Sequence, residues 1–224
     1  MNKPETRVHQ LLGMFIVIGA LFGSWRTISQ NGEINGNDLL YFTIQSNLWI
    51  AAIHLYFLMV EVYERRHENF TTPNGVRILK YVLTVSITLT FLVFFFVLVP
   101  QLGLFVVQLP GSMLTHFWVP LAAILDYLLF ERKQISSGRT ISLCVLPPFI
   151  YFVVTILLSV SGVTYADNQP VPYFFLNYKE LGWFKIAGGR IGVFYWLLIM
   201  LVVILFLAML LLRFNQGIRK RRAK

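Results

Sequence analysis

The sequence predicts an all-α integral membrane protein: one domain, residues 1–224, built as a bundle of six membrane-spanning helices with both chain ends on the cytoplasmic side. Three observations carry this. Hydrophobic residues make up 57% of the 224 positions and charged residues only 13%, about half the charged share of a soluble domain. The apolar residues gather in six runs, each long enough to cross a hydrocarbon core of about 30 Å. The positive charge alternates from gap to gap. Of the 19 Lys and Arg residues, 15 flank the first, third and fifth gaps and the last segment, counting the amino end as the first gap. Positive residues favour the cytoplasmic side.

The first run, about 8–28, follows Lys3 and Arg7. No small-x-small cleavage pattern follows it, so it reads as a span and not as a leader. Residues 29–38, rich in Asn and Gly, form a loop. The second span, about 39–62, ends in a charged turn holding Arg65 and Arg66. The third covers about 78–99, and Pro100, which has no amide hydrogen, is expected to stop it. Residues 101–111 carry no charge but contain Gly103, Pro110 and Gly111, and read as a loop skimming the membrane surface. The fourth span, about 112–130, contains His116, Pro120 and Asp126. The fifth, about 140–160, contains Pro147 and Pro148, which are expected to bend it. The longest connector, 161–189, is rich in Tyr, Phe, Pro and Asn. The sixth span, about 190–212, leads into the basic segment Gly217–Lys224.

Composition also limits function. A single cysteine, Cys144, allows no disulfide within the chain and no thiol metal site. The acidic residues show no grouping suited to a metal, so neither a metal nor a cofactor is expected. The basic residues sit in short loops and in Arg219–Arg222, which suits anionic membrane lipids and not nucleic acid. G-x-S-x-G, H-E-x-x-H and P-loop signatures do not occur. The two halves show no convincing repeat, so an inverted-repeat transporter gains no support.

The second span carries the chemistry. Within Tyr41–His54 lie Thr43, Gln45, Ser46, Asn47 and His54. Polar groups in hydrocarbon are costly unless they find partners. On a helix Thr43, Asn47 and His54 share nearly one side, with Ser46 beside them. The alternating topology starts the second and fourth spans on the outer side. Thr43 and His116 then each lie on the order of 6 Å below the outer ends, four residues in at about 1.5 Å per residue. A threonine hydroxyl needs an adjacent base to become a nucleophile, and histidine suits that task. On spacing alone, interhelical hydrogen bonds are the commoner role of such residues.

Other polar residues admit two roles each. Gln45, Ser46 and Asn47 could orient the pair, donate to an oxyanion, or simply join helices. His54 reads as a hydrogen-bonded packing residue or part of a relay, and Asp126 as a partner of Arg132 or water. Tyr165, Asp167, Tyr173, Asn177 and Tyr178 lie in the outer connector. They read as a lid, as head-group contacts or as interfacial anchors. Tyr173, Asn177, Lys179 and Arg190 are the substrate-mouth candidates, with Lys185 as a further cation there.

The runs Tyr41–Asn47 (YFTIQSN), His116–Pro120 (HFWVP) with Asp126 after it, and Val171–Asn177 (VPYFFLN) resemble the FAR-17a/AIG1-like family, in its bacterial Pr6Pr branch. The resemblance implies a six-helix bundle across a bacterial cytoplasmic membrane, and the topology read above puts the site near its outer leaflet. Animal members are membrane threonine hydrolases that cleave fatty acid esters of hydroxy fatty acids. Thr43 matches their essential threonine and His116 their essential histidine. The implied partners are a lipid ester substrate and the membrane lipids. The alternative from a different class is a non-enzymatic protein that binds or transports a lipid or small molecule.

Overall fold

Backbone that cannot reach water must satisfy its own hydrogen bonds, and a helix does so within one segment. The long apolar runs of this chain accordingly form helices. The computed structural model describes residues 3–29, 36–64, 71–131 and 138–222, without the side chains of Lys3, Pro4 and Asp167. Six helices organise it: α1 (Lys3–Ile28), α2 (Phe42–Glu64), α3 (Asn74–Leu102), α4 (Leu114–Phe130), α5 (Gly138–Val160) and α6 (Val193–Arg222). Five are long and apolar enough to cross a membrane, and α4 is the shorter apolar one.

Several boundaries differ from the sequence reading. The second span begins at Phe42 and not at 39, because Gly36–Leu40 closes into a 3₁₀ turn. Pro100 does not stop α3, which runs on to Leu102. Residues Phe94–Leu98 form a π turn, in which the Val99 amide donates to the Phe94 carbonyl. The wider turn draws the preceding carbonyls away from the proline ring, and that clash is what ordinarily ends a helix. The same device recurs in α4. Leu114–Trp118 is a π turn, the Val119 amide donates to Leu114, and Pro120 follows.

The uncharged connector is not all loop. Phe105–Gln108 forms one helical turn, with Leu104 and Phe105 facing outward. Helix α5 is interrupted at Cys144–Val145, and Pro147 and Pro148 fall in the first turn after the break. Amide hydrogens lack helical partners there in any case, so the proline pair is tolerated. Arg190 and Ile191 do not begin the sixth helix. They form β2, paired antiparallel with β1 (Ile186–Ala187). Gly188 and Gly189 both have positive φ, 58° and 74°, as the tight primed hairpin turn demands.

Two apolar clusters hold the bundle. One packs Tyr81, Val85, Tyr127 and Leu207 where α3, α4 and α6 meet. The Tyr81 hydroxyl adds a 2.6 Å bond to the Ala208 carbonyl. The other joins α1, α2 and α4 through Ile16, Ala20, Ile50 and Val119. Gly23 of α1 lies against Leu114 and Thr115, and a side chain at that position would meet their atoms within 3.0 Å. This close approach seats the α4 turn that carries His116 on α1.

The opposite end of the bundle buries charge. Lys80, one of the positive residues that the sequence places at an inner loop, is only 2% exposed. Its Nζ lies 2.5 Å from Asp126. His54 Nε2 and His9 Nε2 each lie 3.2 Å from the same carboxylate. Asp126 therefore pairs with Lys80 and two histidines, and not simply with Arg132 or water. Arg132 lies outside the described residues. No cluster suited to a metal occurs among the described residues.

Candidate functional site

Thr43 sits in the first turn of α2, and His116 sits in the π turn of α4. Thr43 Oγ1 lies 3.2 Å from His116 Nε2. The other imidazole nitrogen, Nδ1, lies 3.0 Å from the Ser112 carbonyl oxygen. A carbonyl can only accept, so Nδ1 carries the proton. That leaves the Nε2 lone pair to accept the Thr43 hydroxyl hydrogen. The backbone of Ser112 thus fixes the tautomer that a general base needs. The hydroxyls of Ser112 and Thr115 flank Nδ1 at 3.4 and 3.2 Å. Thr43 and the imidazole can together raise a hydroxyl toward an alkoxide.

The second-span polar residues hold the backbone around this pair. Asn47 Nδ2 donates to the Thr43 carbonyl at 2.8 Å and to the Thr115 carbonyl at 3.0 Å. Ser46 Oγ donates to the Thr43 carbonyl at 3.1 Å and lies 2.9 Å from Thr90 Oγ1. Gln45 turns aside, its amide donating to the Leu39 carbonyl at 3.3 Å. His54 joins Asp126 instead, and its Nδ1 donates to Ile50 at 2.8 Å.

Of the four mouth candidates, one reaches the pair. The Tyr173 hydroxyl lies 3.5 Å from Thr43 Oγ1 and accepts the Thr43 amide hydrogen at 3.4 Å. Burial pushes its phenol above the ordinary tyrosine range, so it stays protonated at neutral pH. Asn177 is a helix cap. Its Oδ1 accepts from the Glu180 amide at 3.3 Å at the start of Tyr178–Leu181. Lys179 is exposed, and Arg190 donates to Glu180 at 2.6 Å on the surface. Tyr165 is buried edge-on to Tyr41, and the Tyr178 hydroxyl lies 3.3 Å from Ser159.

A small cavity of about 80 Å³, partly open to the outside, borders Thr43. Residues of α2, α3, α5 and α6 wall it, together with Tyr173, Phe175 and Leu176. Phe42, Leu89, Leu98, Phe152 and Leu197 make most of the wall apolar. Its hydroxyls are those of Thr43, Thr90, Tyr151 and Tyr173, and no charged residue lines it. No residue of α4 lines the cavity. It lies on the far side of Thr43, and His116 is not on its wall.

Sequence reasoning missed the Ser112 carbonyl, Phe94 and Tyr151. Backbone carbonyls have no residue signature, and Phe94 is one of many phenylalanines in its run. Tyr151 did carry a signal, a hydroxyl inside an otherwise apolar span. No protein-family model, curated protein or solved structure matches the chain.

Proposed function

We propose that this chain is an intramembrane threonine hydrolase that cleaves lipid esters, a member of the FAR-17a/AIG1-like family. The observation that carries the reading is the 3.2 Å contact from Thr43 Oγ1 to a His116 Nε2 whose partner nitrogen is tied to Ser112. All six helices cross a bacterial cytoplasmic membrane, with both chain ends inside and Thr43 toward the outer leaflet. The charge asymmetry of the gaps supports that orientation.

The acyl chain of the substrate lies in the apolar cavity, where burial of each methylene contributes about 0.8 kcal/mol. No cation lines the cavity. A carboxylate, if the lipid has one, therefore belongs to the alcohol half and stays outside. Fatty acid esters of hydroxy fatty acids meet that description. Thr43 attacks the ester carbonyl as its proton passes to His116. The alcohol leaves with that proton, and water then hydrolyses the acyl-threonine.

The test uses protein purified in detergent and an acyl ester substrate. Thr43→Ala and His116→Ala should each remove nearly all turnover. The double variant should lose little more, because the two groups act as one unit. Full turnover in Thr43→Ala sinks the assignment. The nearly apolar cavity wall also favours a second reading, a lipid-binding protein without turnover. That protein would retain bound lipid in Thr43→Ala and cleave no ester in the wild type.

A further inference from the structure

We propose that the hydroxyls of Tyr173 and Tyr151 form an oxyanion hole on the cavity side of Thr43, both donating to the ester carbonyl oxygen as it gains charge. The proposal rests on the hydrolase reading of Thr43 and His116 and adds the groups that stabilise its transition state.

Geometry first removes the donors that the sequence suggested. Both directed contacts of the Asn47 amide nitrogen end on backbone carbonyls, at 2.8 and 3.0 Å. Ser46 Oγ is engaged with the Thr43 carbonyl and with Thr90. Thr90 in turn bonds back to the Ser86 carbonyl at 3.3 Å. His116 occupies one side of Thr43 Oγ1. The ester must therefore approach from the cavity, on whose wall the remaining hydroxyls are those of Tyr173 and Tyr151.

Neither tyrosine hydroxyl hydrogen is held tightly. The Tyr173 oxygen accepts the Thr43 amide hydrogen, and its own hydrogen reaches Thr43 Oγ1 only across a long 3.5 Å contact, from which an oxyanion beside that atom can draw it. Accepting an N–H polarises the phenol and strengthens its O–H as a donor. Tyr151 is 8% exposed, and its buried hydroxyl has no hydrogen-bond partner. Thr155, Tyr173 and the Phe42 backbone stand near it without closing a bond. A buried hydroxyl left unpaired is costly and calls for an explanation. A carbonyl oxygen in the cavity supplies one, since it accepts two hydrogen bonds. Packing fixes both rings: Tyr173 stacks on Phe175 at 5.3 Å, and Tyr151 meets Phe42 edge-on at 5.1 Å. The two tyrosine rings are 6.3 Å apart. Donors held in place before the reaction need no reorganisation when the charge appears.

The step balances without either tyrosine losing its proton. The Thr43 Oγ–carbon bond forms, the carbonyl electron pair moves onto oxygen, and the Thr43 proton goes to His116 Nε2. The tyrosines hold the oxyanion by hydrogen bonds. On collapse the ester C–O bond breaks, and the departing alkoxide takes the proton from His116. Water repeats the sequence on the acyl-threonine and releases the acid.

The experiment compares the full chain, in detergent, with Tyr173→Phe, Tyr151→Phe and Thr43→Ala on a p-nitrophenyl acyl ester. Each Phe variant keeps its ring, so melting temperature and KM should stay near wild type while kcat falls by about 10²-fold or more. Affinity for an acyl trifluoromethyl ketone should fall in step with kcat, and affinity for the free fatty acid should not change. Replacing either tyrosine by a fluorinated tyrosine should alter kcat without disturbing packing, which covers a Phe variant that fails to fold. If both Phe variants keep kcat within about threefold while Thr43→Ala is dead, the oxyanion hole lies elsewhere and the hydrolase reading stands. If Thr43→Ala is fully active, the hydrolase reading fails and this proposal with it. Lower melting temperature and higher KM at unchanged kcat would make the tyrosines structural only.

Discussion

The imidazole of His116 lies flat on the ring of Phe94, their centroids 3.8 Å apart and their planes 19° from parallel. Both residues sit in π turns, and each turn ends two residues before a proline. The two wide turns bring an aromatic face and a base together across α3 and α4. The stack fixes the plane of the imidazole, while the Ser112 carbonyl fixes its rotation.

Phe94→Leu tests that relationship. Leucine fills much of the space but offers no flat face, so the imidazole can tilt and Nε2 drifts from Thr43. A misplacement of about 1 Å can cost up to 10²-fold in rate, so kcat should fall at least about tenfold with KM little changed. Ester-cleavage kinetics on the purified variant check it. An unchanged kcat would show that Ser112 alone aims the ring.

The Asp126 cluster predicts a stability effect without a catalytic one. Asp126→Ala leaves Lys80 buried without its carboxylate, and breaking one side of a buried pair costs about 3–5 kcal/mol. Adding Lys80→Met should recover much of that loss, because the stranded charge is gone. Melting curves in detergent measure both. Folded protein should keep its specific activity, since His54, the cluster's member on α2, lies about three helical turns from Thr43. A single variant as stable as wild type would mean that water already solvates Lys80.

Much of this arrangement was legible in the sequence because helices translate residue number into depth. Counting from span ends puts Thr43 and His116 at one level, and their side chains lie 3.2 Å apart. The Asp126 partners were not legible. His9, His54 and Lys80 come from three helices, and which faces meet depends on packing that periodicity does not encode. The sequence makes Tyr173 only a mouth residue, because its connector has no period to count along. Only the fold shows that the Phe174–Leu176 turn carries it onto α2. Pro100 misled for a local reason: the rule that proline ends a helix assumes an α turn before it, and here the turn is π.

Lys179 and Arg190 should matter little to the reaction. Arg190 and Glu180 form a surface pair, 70% and 55% exposed, and such pairs contribute about 0–1 kcal/mol. Neither cation lines the cavity. Lys179→Ala and Arg190→Ala should change stability by less than about 0.5 kcal/mol and KM by less than about twofold. A larger rise in KM, confined to carboxylate-bearing lipids, would restore them as a mouth for the alcohol half.

Asn47 links the helix of the nucleophile to the helix of the base. Its amide nitrogen donates to Thr43 on α2 and to Thr115, the residue before His116, on α4. The link is made by hydrogens, so charge and shape make opposite predictions. Asn47→Asp nearly preserves shape but turns acceptor oxygens toward two carbonyls. Asn47→Leu keeps similar bulk and removes the donors without adding repulsion. If Asn47 served only as filler, Asp would be the milder change. If it acts through donation, Asp is the harsher one. Losing the Thr115 bond leaves a buried carbonyl short of a donor, worth about 1–3 kcal/mol in the Leu variant, and Asp should exceed that. Both variants should lower kcat more than KM, because the slackened joint lets Thr43 and His116 part while the cavity wall, which Asn47 does not line, stays intact. Melting temperature and kcat, measured on the same two proteins, decide it: a Leu variant less stable and slower than the Asp variant would show that volume, and not donation, is what this position supplies.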